Sequence, residues 1–441
     1  LDTRTFYVCP RVNPDGAEWA LSEISRQVRS SVRPYPHAES QVEGLDVRDV
    51  DGDGRVLYMR QADPNGPWKC HPEEPKLLVR RAPDDFEGNF YRLYREGELS
   101  EYDGVMVTHT APREGLDLNR NFPANWAPEG KQMGAGPAPF SEPETRALGD
   151  FITTHGNIVS AVSGHTFSGV LLRASSNAPD DDLPINDLRA YKSVGAKGEE
   201  LTGYPAISIY HDFRYHPKQN ITGGFDWVYE HLGIYFWTVE YWAPHRTAGV
   251  DMSGVKYSDW LFDHDSGDDL TLFRFFDRES PGTAYVDWYE FDHPQLGKLE
   301  IGGWDIMNSF HNPPLHLLEK EVAPFPEWFV YQALMTAKLE LVEASATKLG
   351  EETFLLRLVV ENSGYLSTAG SDKATENKVS REIVAEIGLP ASAELLRGRS
   401  REEIGHLEGR VGMMASPVFL GTGFDATDGT DSRARAEWLV K

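Results

Sequence analysis

Gly115-Leu-Asp-Leu-Asn-Arg-Asn-Phe-Pro123 is the stretch on which the fold turns. Leu116 and Leu118 alternate with polar residues, and a dense polar cluster follows before an aromatic residue and a proline. That pattern predicts a strand end that delivers side chains into a cleft. Asn119 and Arg120 stand side by side. A fixed guanidinium fork next to an amide suits the gripping of a carboxylate. A loop whose arginine pairs with a structural aspartate would carry the same nine residues, so the flanking sequence has to decide.

The chain has 441 residues, 40% of them hydrophobic and 11% aromatic, enough for a large core and more than one domain. The net charge of −26, from 69 acidic against 43 basic residues, excludes a nucleic-acid partner that needs clustered cations. The acid is spread along the chain and reads as solvated surface. Two cysteines, Cys9 and Cys70, imply no disulfide framework. Cys9 ends an apolar run and reads as a core residue. No apolar run reaches the length of a membrane span. This composition leaves the compartment open.

Outward from the opening stretch, residues 5–9 read as a buried strand and Asn13-Pro-Asp-Gly16 as a turn. Residues 34–114 are rich in Pro, Gly and charge and read as an insertion, with strands at Arg55–Met59 and Leu77–Arg80. Within it, Asp49, Asp51 and Asp53 alternate ahead of Gly54, as at the start of a calcium loop. An EF-hand would need Glu at the twelfth position, which is Arg60, so the choice lies between another calcium site and a plain acidic turn. Downstream, Ser141-Glu-Pro-Glu144 predicts a capping box that opens a helix to about Thr154. Strands are predicted at 157–163, 169–173 and 234–240, and helices at 186–201 and 314–336. The pattern over 1–336 is α/β with a mixed sheet. Beyond 337 the sequence alternates in strand fashion, which predicts a small β-sandwich over 337–441. The chain opens directly on one strand candidate and closes on another, so both ends are expected to be truncated.

Taken in order, Asn13-Pro-Asp-Gly16, Asn119-Arg120, His165 in His-Thr-Phe-Ser, Asp226-Trp227 and Glu240 in Trp-Thr-Val-Glu resemble the landmarks of the M14 metallocarboxypeptidases, the carboxypeptidase A family. The resemblance implies a mixed-sheet zinc-carboxypeptidase-like domain with an insertion. It implies hydrolysis at peptide C-termini with one zinc ion, bound in this family by two His and one Glu. His165 is then the third zinc ligand and Glu240 the general base. Asn119 and Arg120 hold the substrate's terminal carboxylate. Arg29 polarises the scissile carbonyl, with Arg26 and Arg33 as rivals. Tyr215 is the mobile tyrosine, with Tyr210 as rival. Phe225 floors the specificity pocket and favours apolar C-terminal residues.

One departure matters. The family's first two ligands form a His-x-x-Glu pair ahead of the Asn-Pro-Asp-Gly turn, and no His or Glu precedes Asn13. His71-Pro-Glu-Glu74 has the spacing but sits in the insertion and reads as coincidence. These 441 residues are therefore expected to hold no native zinc and to be inactive by themselves. Three other readings compete, one of them a cell-wall peptide cleaver within the same peptidase family. Acylases of small N-acyl amino acids share the fold and an Asp-Leu-Asn-Arg-x-Phe-Pro signature that Asp117–Pro123 fits. A non-catalytic carboxylate-binding module would retain Asn119 and Arg120 without zinc. The β-rich tail reads equally as a folding aid, an attachment module or a substrate-binding domain.

Overall fold

Phe236, Trp237 and Val239 are buried one after another on the strand Tyr235–Tyr241, with no polar alternation. A strand reads that way when both faces of its sheet are covered. The structure, a computed structural model, describes residues 3–25, 29, 43–110, 116–132, 134–213, 226–413, 416–419 and 429–441. Tyr235–Tyr241 is an inner strand of a four-stranded mixed sheet. It pairs in parallel with Ser160–Thr166 and antiparallel with Val170–Arg173, which in turn runs parallel to Ala206–Ser208. The helices Ile185–Thr202 and Phe325–Leu334 meet over this sheet. Trp328 meets Trp237 edge to face, with ring centroids 5.4 Å apart, and donates its indole N–H to the Val194 carbonyl. Gly198 makes that approach possible, because a Cβ there would lie 2.4 Å from Leu171 Cδ1 and 2.9 Å from Trp328 Nε1.

The α/β reading of the central region and the β-rich reading of the C-terminal part agree with this architecture. Several details differ. Residues 5–9 form no strand, and Cys9 is exposed rather than in the core. Among the described residues the apolar run pairs with no strand, and Tyr7 lies against Phe151 and His155. Pro143–Thr154 is helical as expected, but its cap, Glu142, makes no side-chain capping bond. The Ser141 hydroxyl is engaged by the Asn121 amide and by Glu142 instead. The closing helix is two helices, Leu315–Val322 and Phe325–Leu334, broken at Pro324.

The insertion is not self-contained. Its strands Tyr58–Ala62, Trp68–Cys70, Leu78–Arg80 and Phe90–Arg95 belong to a six-stranded sheet completed by the hairpin Tyr285–His293 and Gly297–Trp304. Every neighbouring pair in it is antiparallel. Leu45, Leu57 and Met59 pack with Leu299 and Ile301 in one cluster, which ties residues far apart in sequence into one lobe. In the C-terminal region, Leu339–Lys348, Phe354–Asn362, Arg433–Val440 and Leu395–Arg397 form one sheet. The pair Val384–Glu386 and Arg401–Glu403 lies beside it, with Ala385 and Ile404 in the same cluster as Trp438 and Leu356. Among the described residues, no helix is long and apolar enough to cross a membrane.

Two outcomes follow from this packing. Trp328→Ala removes the indole and leaves a cavity over the central sheet, and should cost about 3–5 kcal/mol in the urea midpoint analysis. A cost below about 1 kcal/mol would show that this packing is not the core of the fold. The second concerns His264, whose ring bonds Asp269 at 3.1 Å and the Trp260 carbonyl at 2.7 Å. The Asp269 bond holds its pKa above the ordinary histidine value. Stability from this pair is then complete below the unfolded pKa and is lost as pH rises through the folded one. The melting temperature of the wild type relative to His264→Gln should be higher at pH 5.5 than at pH 8.5, by a stability equivalent of about 1 kcal/mol or less. A pH-independent gap would remove the pair from the account.

Candidate active site

The opening motif is a 3-10 turn, Leu118–Arg120, and not the end of a strand. Asp117 caps it, its carboxylate accepting from the Asn119 N–H at 2.9 Å. Leu116, Leu118 and Phe122 are buried and anchor the loop. Asn121 is wholly buried, and its amide donates to the Ala135 carbonyl at 2.9 Å and to Ser141 Oγ at 2.8 Å. Its side-chain oxygen accepts from Thr145 Oγ1 at 2.7 Å and from the Glu142 N–H at 3.1 Å. Asn121 therefore fixes the loop, while Asn119 and Arg120 remain only half-buried on the turn. The Asp226-Trp227 landmark also supports this loop. Trp227 stacks on Phe122 at 6.0 Å and meets Phe140 edge-on at 5.1 Å. Asp226 is buried and accepts from the Ser176 N–H at 2.9 Å, and burial pushes its pKa up to about 7.

Arg29 joins the motif twice. Its Nε donates to Asp117 Oδ2 at 2.8 Å, and its carbonyl accepts from the Leu118 N–H at 3.2 Å. Arg26 and Arg33 lie outside the described residues.

His165 and Glu240 come together through strand register. They are directly opposite each other on the parallel strands Ser160–Thr166 and Tyr235–Tyr241. Opposite residues in a sheet project to the same face. The His165 Nε2 shares a hydrogen bond with Ser163 Oγ at 3.0 Å. Burial drives the His165 pKa down to about 4; Arg29 and Arg120 push the same way, and Asp117 opposes them. Burial raises the Glu240 pKa to about 8, with the positive charge of Arg29 acting against it. Arg29 therefore acts on both strand residues and is tied through Asp117 to the 3-10 turn.

Sequence reasoning missed His311. Thr166 Oγ1 donates to its carbonyl at 2.7 Å, and its ring lies 5.2 Å from that of Phe167. Burial drives its pKa down to about 4, and Arg29 and Arg95 add to the effect. It arrives from the loop that follows the six-stranded sheet, where no motif marks it.

Tyr215 and Phe225 lie outside the described residues. Tyr210 sits on the short helix Ile209–Asp212, with its ring 5.0 Å from that of His211. The acidic loop differs from expectation in membership. Ligand oxygens of Asp49, Asp51 and Glu96 fall within 4.8 Å of one another, and Asp53 is not in that group. Asp53 accepts from the Arg55 N–H at 2.8 Å, while Asp49 accepts from Gly52 and Gly54. Buried Glu96 accepts from the Val50 and Leu57 N–H groups at 2.8 and 2.7 Å. Backbone amides account for these carboxylates, and nothing further supports calcium.

Those three acids are the only such group of potential metal ligands among the described residues. His165 is in none. His71 is buried and closes its own turn, its Nδ1 accepting from the Glu73 N–H at 3.1 Å. A further His-x-x-Glu, His316 to Glu319, lies on the helix Leu315–Val322, with His316 paired to Glu279 at 3.1 Å. The described residues alone do not make a zinc site.

Comparison with known proteins fits this geometry. A family model described as zinc carboxypeptidase (Peptidase_M14) matches residues 1–250, and one described as a domain of unknown function (DUF8731) matches 338–441. Human carboxypeptidase A5 is 39% identical over 64 residues, 13% of this chain and 15% of that protein. Mouse mast cell carboxypeptidase A is 34% identical over 151 residues, 32% of this chain and 34% of that protein. The chain thus spans about a third or less of the length of these relatives. A crystal structure of thrombin activatable fibrinolysis inhibitor (TAFI) overlaps 35% of this chain and 43% of its own at 24% identity, with a TM-score of 0.24, too low to carry an argument. The family match spans more than half of the 441 residues and takes in the opening motif, His165 and Glu240, so the chain belongs to the zinc carboxypeptidase (Peptidase_M14) family.

Proposed function

We propose that the protein is a zinc-dependent metallocarboxypeptidase when its ligand set is complete, removing C-terminal residues from peptides. The observation that carries this reading is the register of Glu240 opposite His165, with Arg29 acting on both and tied to the Asn119–Arg120 turn. Arg120 and Asn119 bind the terminal carboxylate of the substrate, which explains why only a chain end would be cleaved. Arg29 orients the scissile carbonyl and stabilises negative charge that develops on its oxygen. Glu240, half-buried near the end of its strand, takes a proton from the attacking water and delivers it to the leaving amine. The sequences of carboxypeptidases A related to this chain favour a peptidase over an acylase.

His165 is the one zinc ligand proposed here among the described residues, and one ligand does not hold the ion. These residues by themselves are therefore proposed to be inactive. Calorimetric titration of zinc into the purified chain should show no high-affinity site. Tight one-to-one binding abolished by His165→Ala would overturn the claim of inactivity.

The carboxylate grip is testable without catalysis. A blocked dipeptide with a free C-terminus should bind the wild type and lose about 10–100-fold in affinity with Arg120→Ala, as expected for a lost charge-assisted contact. Amidating the ligand should cost a similar factor, and should cost nothing further in the variant. Equal binding of the free and amidated ligands would sink the assignment. Assays on blocked dipeptides, N-acyl amino acids and muropeptides, with a completed ligand set, then separate peptidase from acylase activity.

A further inference from the structure

Asp187 stands at the start of the helix Ile185–Thr202 and is wholly buried. Its two carboxylate oxygens accept four hydrogen bonds. Two come from the peptidase region, from the Tyr229 hydroxyl at 2.9 Å and the Tyr235 hydroxyl at 3.0 Å. Two come from the C-terminal region, from the backbone N–H groups of Asp372 at 2.8 Å and Lys373 at 3.0 Å. A buried carboxylate is costly unless its lone pairs are satisfied, and here half of its donors belong to a segment some 185 residues away.

The contacts around it run the same way. Ser371 donates to the Gly233 carbonyl, and Asn377 donates to the carbonyls of Glu230 and His231 at 2.7 and 3.2 Å. Lys373 pairs with Glu230 at 3.6 Å. Gly233 has φ +63, and a Cβ on it would lie 2.3 Å from the Ala374 backbone nitrogen. Leu366 and Val411 are buried in the same cluster as Trp237, Val239 and Trp328. Tyr365 shares a hydrogen bond with Ser193 at 2.9 Å. The joint is thus a continuation of the peptidase core, and not a wet contact between two modules.

We propose that the C-terminal region serves as a clamp that completes the peptidase fold, with Asp187 as its central joint, and is not a separable attachment or binding module. Tyr235 begins the strand that carries Glu240, and Tyr229 lies on the helix Asp226–Leu232. The clamp therefore holds the elements that set the site, and this conclusion does not depend on the proposed reaction.

Hydrogen exchange of the full chain across a denaturant series, followed by mass spectrometry, tests the clamp. In the wild type, the amides of Tyr235–Tyr241 and those of Phe354–Asn362 and Arg433–Val440 should open together in one cooperative event. Separate openings of the two regions would overturn the proposal. Asp187→Ala should lower a single melting transition by roughly 5 °C or more and speed exchange at 235–241. Asn377→Ala, a milder change, should move both regions in the same direction by less. Exchange that rises only within 365–377, with 235–241 unchanged, would also refute the clamp. Glu343→Gln, on the exposed strand Leu339–Lys348, should leave both regions as they are.

Discussion

The parallel pairing of Ser160–Thr166 with Tyr235–Tyr241 is the constraint on which the candidate site depends. Side chains alternate along a strand, so a slip of one residue would send Glu240 to the face away from His165. The apolar residues around Glu240 resist that slip. Phe236, Trp237 and Val239 are buried in one cluster with Tyr191, Val194 and Trp328, and each would have to leave it. The chemistry of one carboxylate is in this sense fixed by the packing of its neighbours, and the same packing raises its pKa by excluding water.

Charge enters this apolar setting from the 3-10 turn. Asp117 holds Arg29, and Arg29 in turn acts on His165, Glu240 and His311. A single guanidinium thus biases three titratable groups. It lowers both histidines and resists the upward drift of the glutamate. Removing Asp117 would take away one anchor of Arg29, so a residue that touches no ligand in the proposed scheme still shapes the field in the cleft.

Much of this was legible in the sequence because it is local. The runs that form Pro143–Thr154, Val170–Arg173, Ile185–Thr202 and Tyr235–Tyr241 carry their own periodicity and turn signals. Asn119, Arg120, His165 and Glu240 stood out because their order matched a family's order. What escaped notice was set by residues distant in sequence. The six-stranded sheet takes two strands from 285–304, and nothing in the insertion announces them. Asn121 looks like its polar neighbours until Ser141 and Thr145 close over it. The run at 5–9 has the composition of a core strand, but composition does not decide what it packs against, and Tyr7 meets the rings of Phe151 and His155.

Asn121 and Asp187 show the same physical device at two joints. Each is a buried polar side chain whose hydrogen-bonding capacity is met by groups from several segments. Such a group gains little net stability relative to a well-packed apolar one, but it is severely penalised when any partner moves away. It therefore selects one arrangement of the segments over near alternatives. In Asn121 that selection fixes the turn that presents Arg120. In Asp187 it fixes the C-terminal region against the strand of Glu240. An acidic residue in the first turn of a helix is ordinarily read as a surface complement to the helix dipole. Asp187 has that sequence signature and the opposite environment, because two tyrosines and two backbone amides, rather than water, surround its charge.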